Sequence, residues 1–121
     1  MAKKKPKSKP KSPLLGRWLI VSMSNWDEDY VNEEVRAFIE FEPGQRGEFH
    51  FGYVRGNIDS RDIQRDGKPA VEFSWDGNDE MDPAQGRGWA VLDDDRLRGM
   101  IFFHQGDESG FEAERDAVEE D

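Results

Sequence analysis

A chain of 121 residues with a net charge of −10 has room for one hydrophobic core and not for two. Charged residues (36%) and apolar residues (35%) balance in a way that leans towards disorder, but four Trp, eight Phe and two Tyr supply a core that disordered chains lack. The absence of cysteine excludes disulfide scaffolds and thiolate chemistry, no apolar run reaches the length of a membrane helix, and no apolar stretch follows the basic N-terminus as a secretory signal requires, so the expected location is the cytoplasm.

Residues 1–13 (MAKKKPKSKPKSP) contain six lysines, Lys3, Lys4, Lys5, Lys7, Lys9 and Lys11, three prolines and no acid. They cannot bury apolar surface and are expected to be a disordered tail. The rest of the chain then carries −16. A domain is expected over residues 14–115, followed by an acidic C-terminal tail over residues 116–121.

Within the domain, short alternating segments are separated by turn signals. Residues 17–24 read as a first strand. Residues 24–35 (SNWDEDYVNEEV) break the rhythm: Ser24 or Asn25 can cap a short helical turn, with Trp26 and Tyr30 one turn apart. Residues 36–42 place Ala37, Ile39 and Phe41 on one face, and a Pro-Gly turn follows. Residues 48–55 read as a strand with Phe49, Phe51 and Tyr53 together. Residues 57–64 form the weakest strand, and Arg65-Asp66-Gly67-Lys68 is a strong hairpin signal. Residues 70–76 turn Val71, Phe73 and Trp75 inward. Strands at residues 87–93, 97–104 and 110–115 complete the set, with Trp89 and Val91 on one face of the first of these.

About eight short strands at hairpin spacing predict an all-β, antiparallel up-and-down barrel, because closure removes both edges. A β-sandwich is the alternative.

Two resemblances add to this reading. Gly16-Arg17-Trp18 resembles the G-x-W signature of the lipocalin and calycin barrels. That likeness implies a Trp18 packed at the closed end and covered by an Arg near the last strand, and Arg115 stands in that position. The segments GRW, WDEDY, FSWDGNDEMD, GRGWA and IFFHQGDES together resemble a family of small uncharacterised bacterial proteins, which implies a cytoplasmic single-domain protein and carries no activity.

Few residues suggest chemistry. The acids of residues 76–82 (DGNDEMD) alternate as in a calcium loop, but the glycine is second and Arg87 stands where the bidentate Glu belongs, so a solvated acidic loop is the better reading. His104, Asp107, Glu108 and Ser109 share one turn without a nucleophile elbow, and a self-bonded turn accounts for them. His50 points away from Phe49 and Phe51 and is expected at the surface. With two histidines, no metal site or other cofactor is expected.

The large rings either fill the barrel or line a cavity, and a filled core is the expectation. A non-enzymatic module that binds a protein partner or itself is therefore expected, with Leu92, Met100 and Phe102 of the sixth and seventh strands as its apolar outer surface. The alternative is a carrier of a small lipophilic ligand, lined by Trp26, Tyr30, Phe51, Tyr53, Trp75 and Trp89 with the Trp26/Tyr30 segment as lid. A second alternative is nucleic-acid contact through the Lys3–Lys11 tail, whose charge could meet phosphates but which offers no ring for base stacking.

Overall fold

The computed structural model describes residues 12–116. Most of the expected N-terminal tail and nearly all of the acidic one lie outside the described residues.

Eight antiparallel strands follow in chain order: β1 (Gly16–Met23), β2 (Phe38–Glu42), β3 (Arg46–Phe51), β4 (Val54–Arg65), β5 (Lys68–Asp79), β6 (Asp82–Asp93), β7 (Arg96–Phe103) and β8 (Glu108–Arg115). Each pairs with the next, and β1 also pairs with β8, so the sheet closes into an up-and-down barrel without a free edge. A sandwich is excluded. One short helix, α1 (Glu28–Val31), interrupts the run between β1 and β2. Its N-cap is Asp27, whose carboxylate accepts the Tyr30 N–H at 3.0 Å, rather than Ser24 or Asn25.

Turn chemistry sets the hairpins. Asp66 (φ 54°) and Gly67 (φ 77°) form the two-residue turn that the sequence signals, closing Arg65 onto Lys68. A second turn was not legible. Gly52 adopts φ 54°, ends β3 at Phe51 and throws Tyr53 off the inner face, so residues 48–55 are not one strand. The acidic run of residues 76–82 is likewise no loop. It extends β5 and β6 to a tip at Glu80 and Met81, with Asp79 paired to Asp82.

The inner face is filled by rings. Trp18, Phe41, Phe49, Phe51, Phe73, Trp75 and Phe111 are all buried. Phe49 meets Trp75 edge-on at 5.0 Å, Trp75 meets Phe103 at 5.2 Å, and Phe49 stacks on Phe51 at 5.8 Å. Small residues on neighbouring strands make room for them. A Cβ on Gly56 would lie 2.5 Å from the Phe49 ring, and one on Gly88 would lie 2.5 Å from Phe73. Gly99 stands in the same relation to Phe111 at 3.0 Å. Rings seated over glycines fill the inner face.

This arrangement corrects the reading of β6. Gly88 and Ala90 face inward beneath the rings, Leu92 packs with them against the core, and Trp89 is therefore outside. The Arg65 guanidinium covers the Trp89 ring at 3.7 Å. Met100 and Phe102 do lie on the outer face, and Met100 is paired with Trp89. Leu92 is not their neighbour. His50 points outward yet is only 6% exposed, because Glu34 reaches over it and meets Nε2 at 3.0 Å.

The two ends differ. At one end Arg115 lies 4.0 Å over Trp18 and donates to the carbonyls of Pro13 and Leu15, while the Trp18 indole donates to the Leu14 carbonyl. This plugs the barrel. The other end carries α1 and the β3–β4, β5–β6 and β7–β8 turns, and it is the mouth. No helix among the described residues is long and apolar enough to cross a membrane. The exposed outer face bears Glu48, Arg55, Asp59, Arg61, Glu72, Arg87 and Arg98, the inverse of a lipid-facing barrel surface.

Candidate functional site at the barrel mouth

The mouth is built by α1 and three turns tied together through the backbone. Gly52 N–H donates to the Val31 carbonyl at 2.8 Å, which fixes α1 on the β3–β4 turn. Glu80 N–H donates to the Tyr53 carbonyl at 2.9 Å, which fixes the β5–β6 tip beside it. The Ser109 hydroxyl accepts the Asn25 N–H at 3.0 Å and donates to the Gly110 carbonyl, anchoring the segment that leads into α1. Ser109 is buried and its hydroxyl is occupied by the backbone, so it offers no nucleophile to the exposed His104.

A cleft of about 620 Å³ opens here, with walls of Trp26, Tyr30 and Phe103, a floor of Val54 and Ala84, and a rim of Asp79, Asp82 and Asp107. Trp26 packs on Phe51 at 5.3 Å and on Phe103 at 6.3 Å, so one face of the lid ring continues the core. Tyr30 lies 6.0 Å from Trp26 and 5.9 Å from Tyr53. Both Trp26 and Tyr30 remain part-exposed. Of the six side chains expected to line a ligand site, the mouth gathers Trp26, Tyr30 and Tyr53. Phe51 and Trp75 are buried core beneath them, and Trp89 lies on the outer face.

Charge at the mouth is one-sided. The loops of this end carry five carboxylates around α1 (Asp27, Glu28, Asp29, Glu33, Glu34), three at the β5–β6 tip (Asp79, Glu80, Asp82) and two at the β7–β8 turn (Asp107, Glu108). Arg36 is the lone Lys or Arg of residues 24–37, 52–53, 79–82 and 104–108, and Arg55 follows near the start of β4. Among the described residues none of these carboxylates meets a Lys or Arg; Glu34 meets His50. The ion pairs of Arg17 with Glu40, Lys68 with Asp93 and Arg96 with Glu112 and Glu114 lie along the strands or towards the closed end. The two phenols register this field. Burial pushes the Tyr30 hydroxyl above its usual pKa; the bond it makes to the Tyr53 backbone opposes this, and Asp79, Glu80 and Glu34 each add a smaller upward push. Glu33 leads the same upward push on Tyr53. The rim also holds the fully open apolar side chain Met81, 92% exposed.

A larger groove of about 760 Å³ runs along the outer face of β4 to β7, past Asn57, Asp59, Ser74, Asp76, Gln85 and Arg87. Its outer ring, Phe102, already lies 5.1 Å beneath Arg87, and its remaining surface is sheet and polar side chains. The mouth is therefore the better-shaped site: aromatic walls, an acidic rim and a rigid frame. Such a surface can hold an organic cation by ring-face attraction and by carboxylate pairing. The acidic rim was visible in the sequence as WDEDY and DGNDEMD. That hairpin topology would bring these runs together was not. No protein-family model, no curated protein and no solved structure matches the chain.

Proposed function

We propose that this protein is a non-enzymatic interaction module that engages a basic protein partner at the barrel mouth. The observation that carries this reading is the aromatic cleft lined by Asp79, Asp82 and Asp107, at an end of the barrel whose ten carboxylates meet no Lys or Arg among the described residues. A cationic side chain entering the cleft gains ring-face contact with Trp26 and Tyr30 and relieves repulsion along the rim. The ring-filled inner face argues against a lipophilic carrier, and the acidic body argues against nucleic acid anywhere but on the lysine tail. Membership among the calycin-like barrels rests on Trp18 under Arg115, bacterial origin on the sequence segments that resemble that family, and a cytoplasmic setting on the absence of cysteine.

Chemical-shift mapping tests the proposal. Hexalysine, hexaglutamate and a lipophilic dye are titrated separately into the full chain. Hexalysine is expected to move the resonances of Trp26, Tyr30 and His104. Binding of the dye alone would revive the carrier, and shifts confined to Trp89, Met100 and Phe102 would move the site to the outer face. That outer face is the second reading, favoured by the direct pairing of Trp89 with Met100.

A further inference from the structure

The reading of the mouth as a cation-binding surface leaves its occupant open, and the inference below rests on that reading. We infer that the mouth cleft receives the lysine-rich segment, residues 1–11, of a second copy of this chain, so that copies associate head to tail. Two observations select this occupant.

The first is charge. The cleft is apolar and aromatic inside, with Trp26, Tyr30, Phe103 and Ala84, and acidic at its edge, with Asp79 and Asp82. The first eleven residues hold six lysines and no acid. Lysine suits both parts of the cleft: its methylene stem lies along rings while its ammonium reaches carboxylates. The body of the chain carries −16, and the segment is its one concentrated source of positive charge. No other stretch of the chain matches the mouth in this way.

The second is geometry. The described chain begins at Ser12, beside Leu14 and Arg115 at the plugged end, opposite the mouth. Eleven residues span at most about 36–40 Å. The eight residues of β1 alone separate the two ends by about 26 Å along the wall. A chain reaching its own mouth would deliver about three or four residues there and give up most of its freedom. A second copy presents all six lysines without that restriction. The contact joins two different surfaces, so it is heterologous: each copy has a free tail at one end and a free mouth at the other. Because the two surfaces carry opposite charge, association is concentration-dependent and weakened by salt.

Sedimentation velocity of the full chain tests this, over a concentration series at about 50 mM and about 500 mM salt, on either side of a Debye length of 10 Å. The sedimentation coefficient is expected to rise with concentration at low salt and to return to the monomer value at high salt. Replacing the six tail lysines with glutamine is expected to leave a monomer throughout. So is the mouth double variant D79N/D82N, whose fold is checked by circular dichroism and thermal melting. Mixing the two variants is expected to produce a dimer that grows no further, since each supplies one half of the contact.

Association that survives the lysine replacements would overturn the inference and place the contact elsewhere, with the outer face at Met100 and Phe102 as the first surface to test. A wild-type monomer at every concentration would also overturn it. If the Trp26 resonance of that monomer then moves on lysine replacement, the tail occupies its own mouth. Addition of hexalysine separates this failure from failure of the mouth reading. Shifts at Trp26 and Tyr30 with no self-association leave a basic partner in place and remove the tail. Silence at the mouth removes both.

Discussion

At the scale of single residues, the aromatic side chains and the glycines beneath them carry the fold. Gly56, Gly88 and Gly99 stand where a ring occupies the place of a side chain. Gly88→Ala puts a methyl group 2.5 Å from both the Phe73 ring and the Met100 carbonyl oxygen. A backbone oxygen in a closed sheet cannot move aside, so the substitution is expected to cost about 1–3 kcal/mol in urea unfolding. The two tyrosines at the mouth set a pH dependence. Their neutral forms are favoured in the folded state, by burial at Tyr30 and by Glu33 at Tyr53, so their folded pKa values lie above the usual 10.0. The stability linked to them is complete below pH 10 and is lost as pH rises through the raised values. Urea unfolding between pH 8 and pH 11 is expected to show that fall, and Tyr30→Phe is expected to flatten it.

At the scale of elements, α1 is too short to hold itself. Four residues make one turn, which nucleation alone disfavours. It persists because Asp27 caps it and Gly52 N–H grips the Val31 carbonyl. Asp27→Ala is expected to cost about 0.5–2 kcal/mol of local order, seen as faster amide exchange over α1 and a shift in Trp26 fluorescence. The barrel strands are expected to keep their protection, because their hydrogen bonds do not pass through α1. The long hairpin of β5 and β6 works differently. Its twelve-residue strands carry the acidic tip out to the mouth, where Glu80 N–H bonds the Tyr53 carbonyl. Two runs distant in the sequence thereby form one rim.

At the scale of the whole molecule, charge is polarised along the barrel axis. Arg17, Lys68, Arg96 and Arg98 meet carboxylates along the strands and towards the plugged end, while among the described residues the mouth carboxylates meet no Lys or Arg. Their mutual repulsion opposes folding and is screened by salt. Thermal melting is therefore expected to rise between low and moderate salt, and D79N/D82N is expected to raise the low-salt melting temperature while weakening hexalysine binding. A site that gains stability when its charges are removed is one held against the interest of the fold.

The sequence by itself determined the fold class, the approximate strand count and the Asp66-Gly67 turn, because each follows from local pattern, period-two alternation and turn residues, while the partnership of Trp18 with Arg115 was implied by the resemblance of Gly16-Arg17-Trp18 to the G-x-W barrels. Tertiary structure alone decided which face of β6 is inside. Judged by hydrophobicity, Trp89 and Val91 belong in the core. The inner face instead takes Gly88 and Ala90 beneath the β5 rings, with Leu92 packed against the cluster; Val91 is buried on the outer side outside that cluster, and no single strand's pattern records what its neighbours leave free. The mouth was decided in the same way. Its carboxylates and rings were legible one by one, but their convergence depends on barrel closure, which places residues from α1, β5–β6 and β7–β8 around one opening.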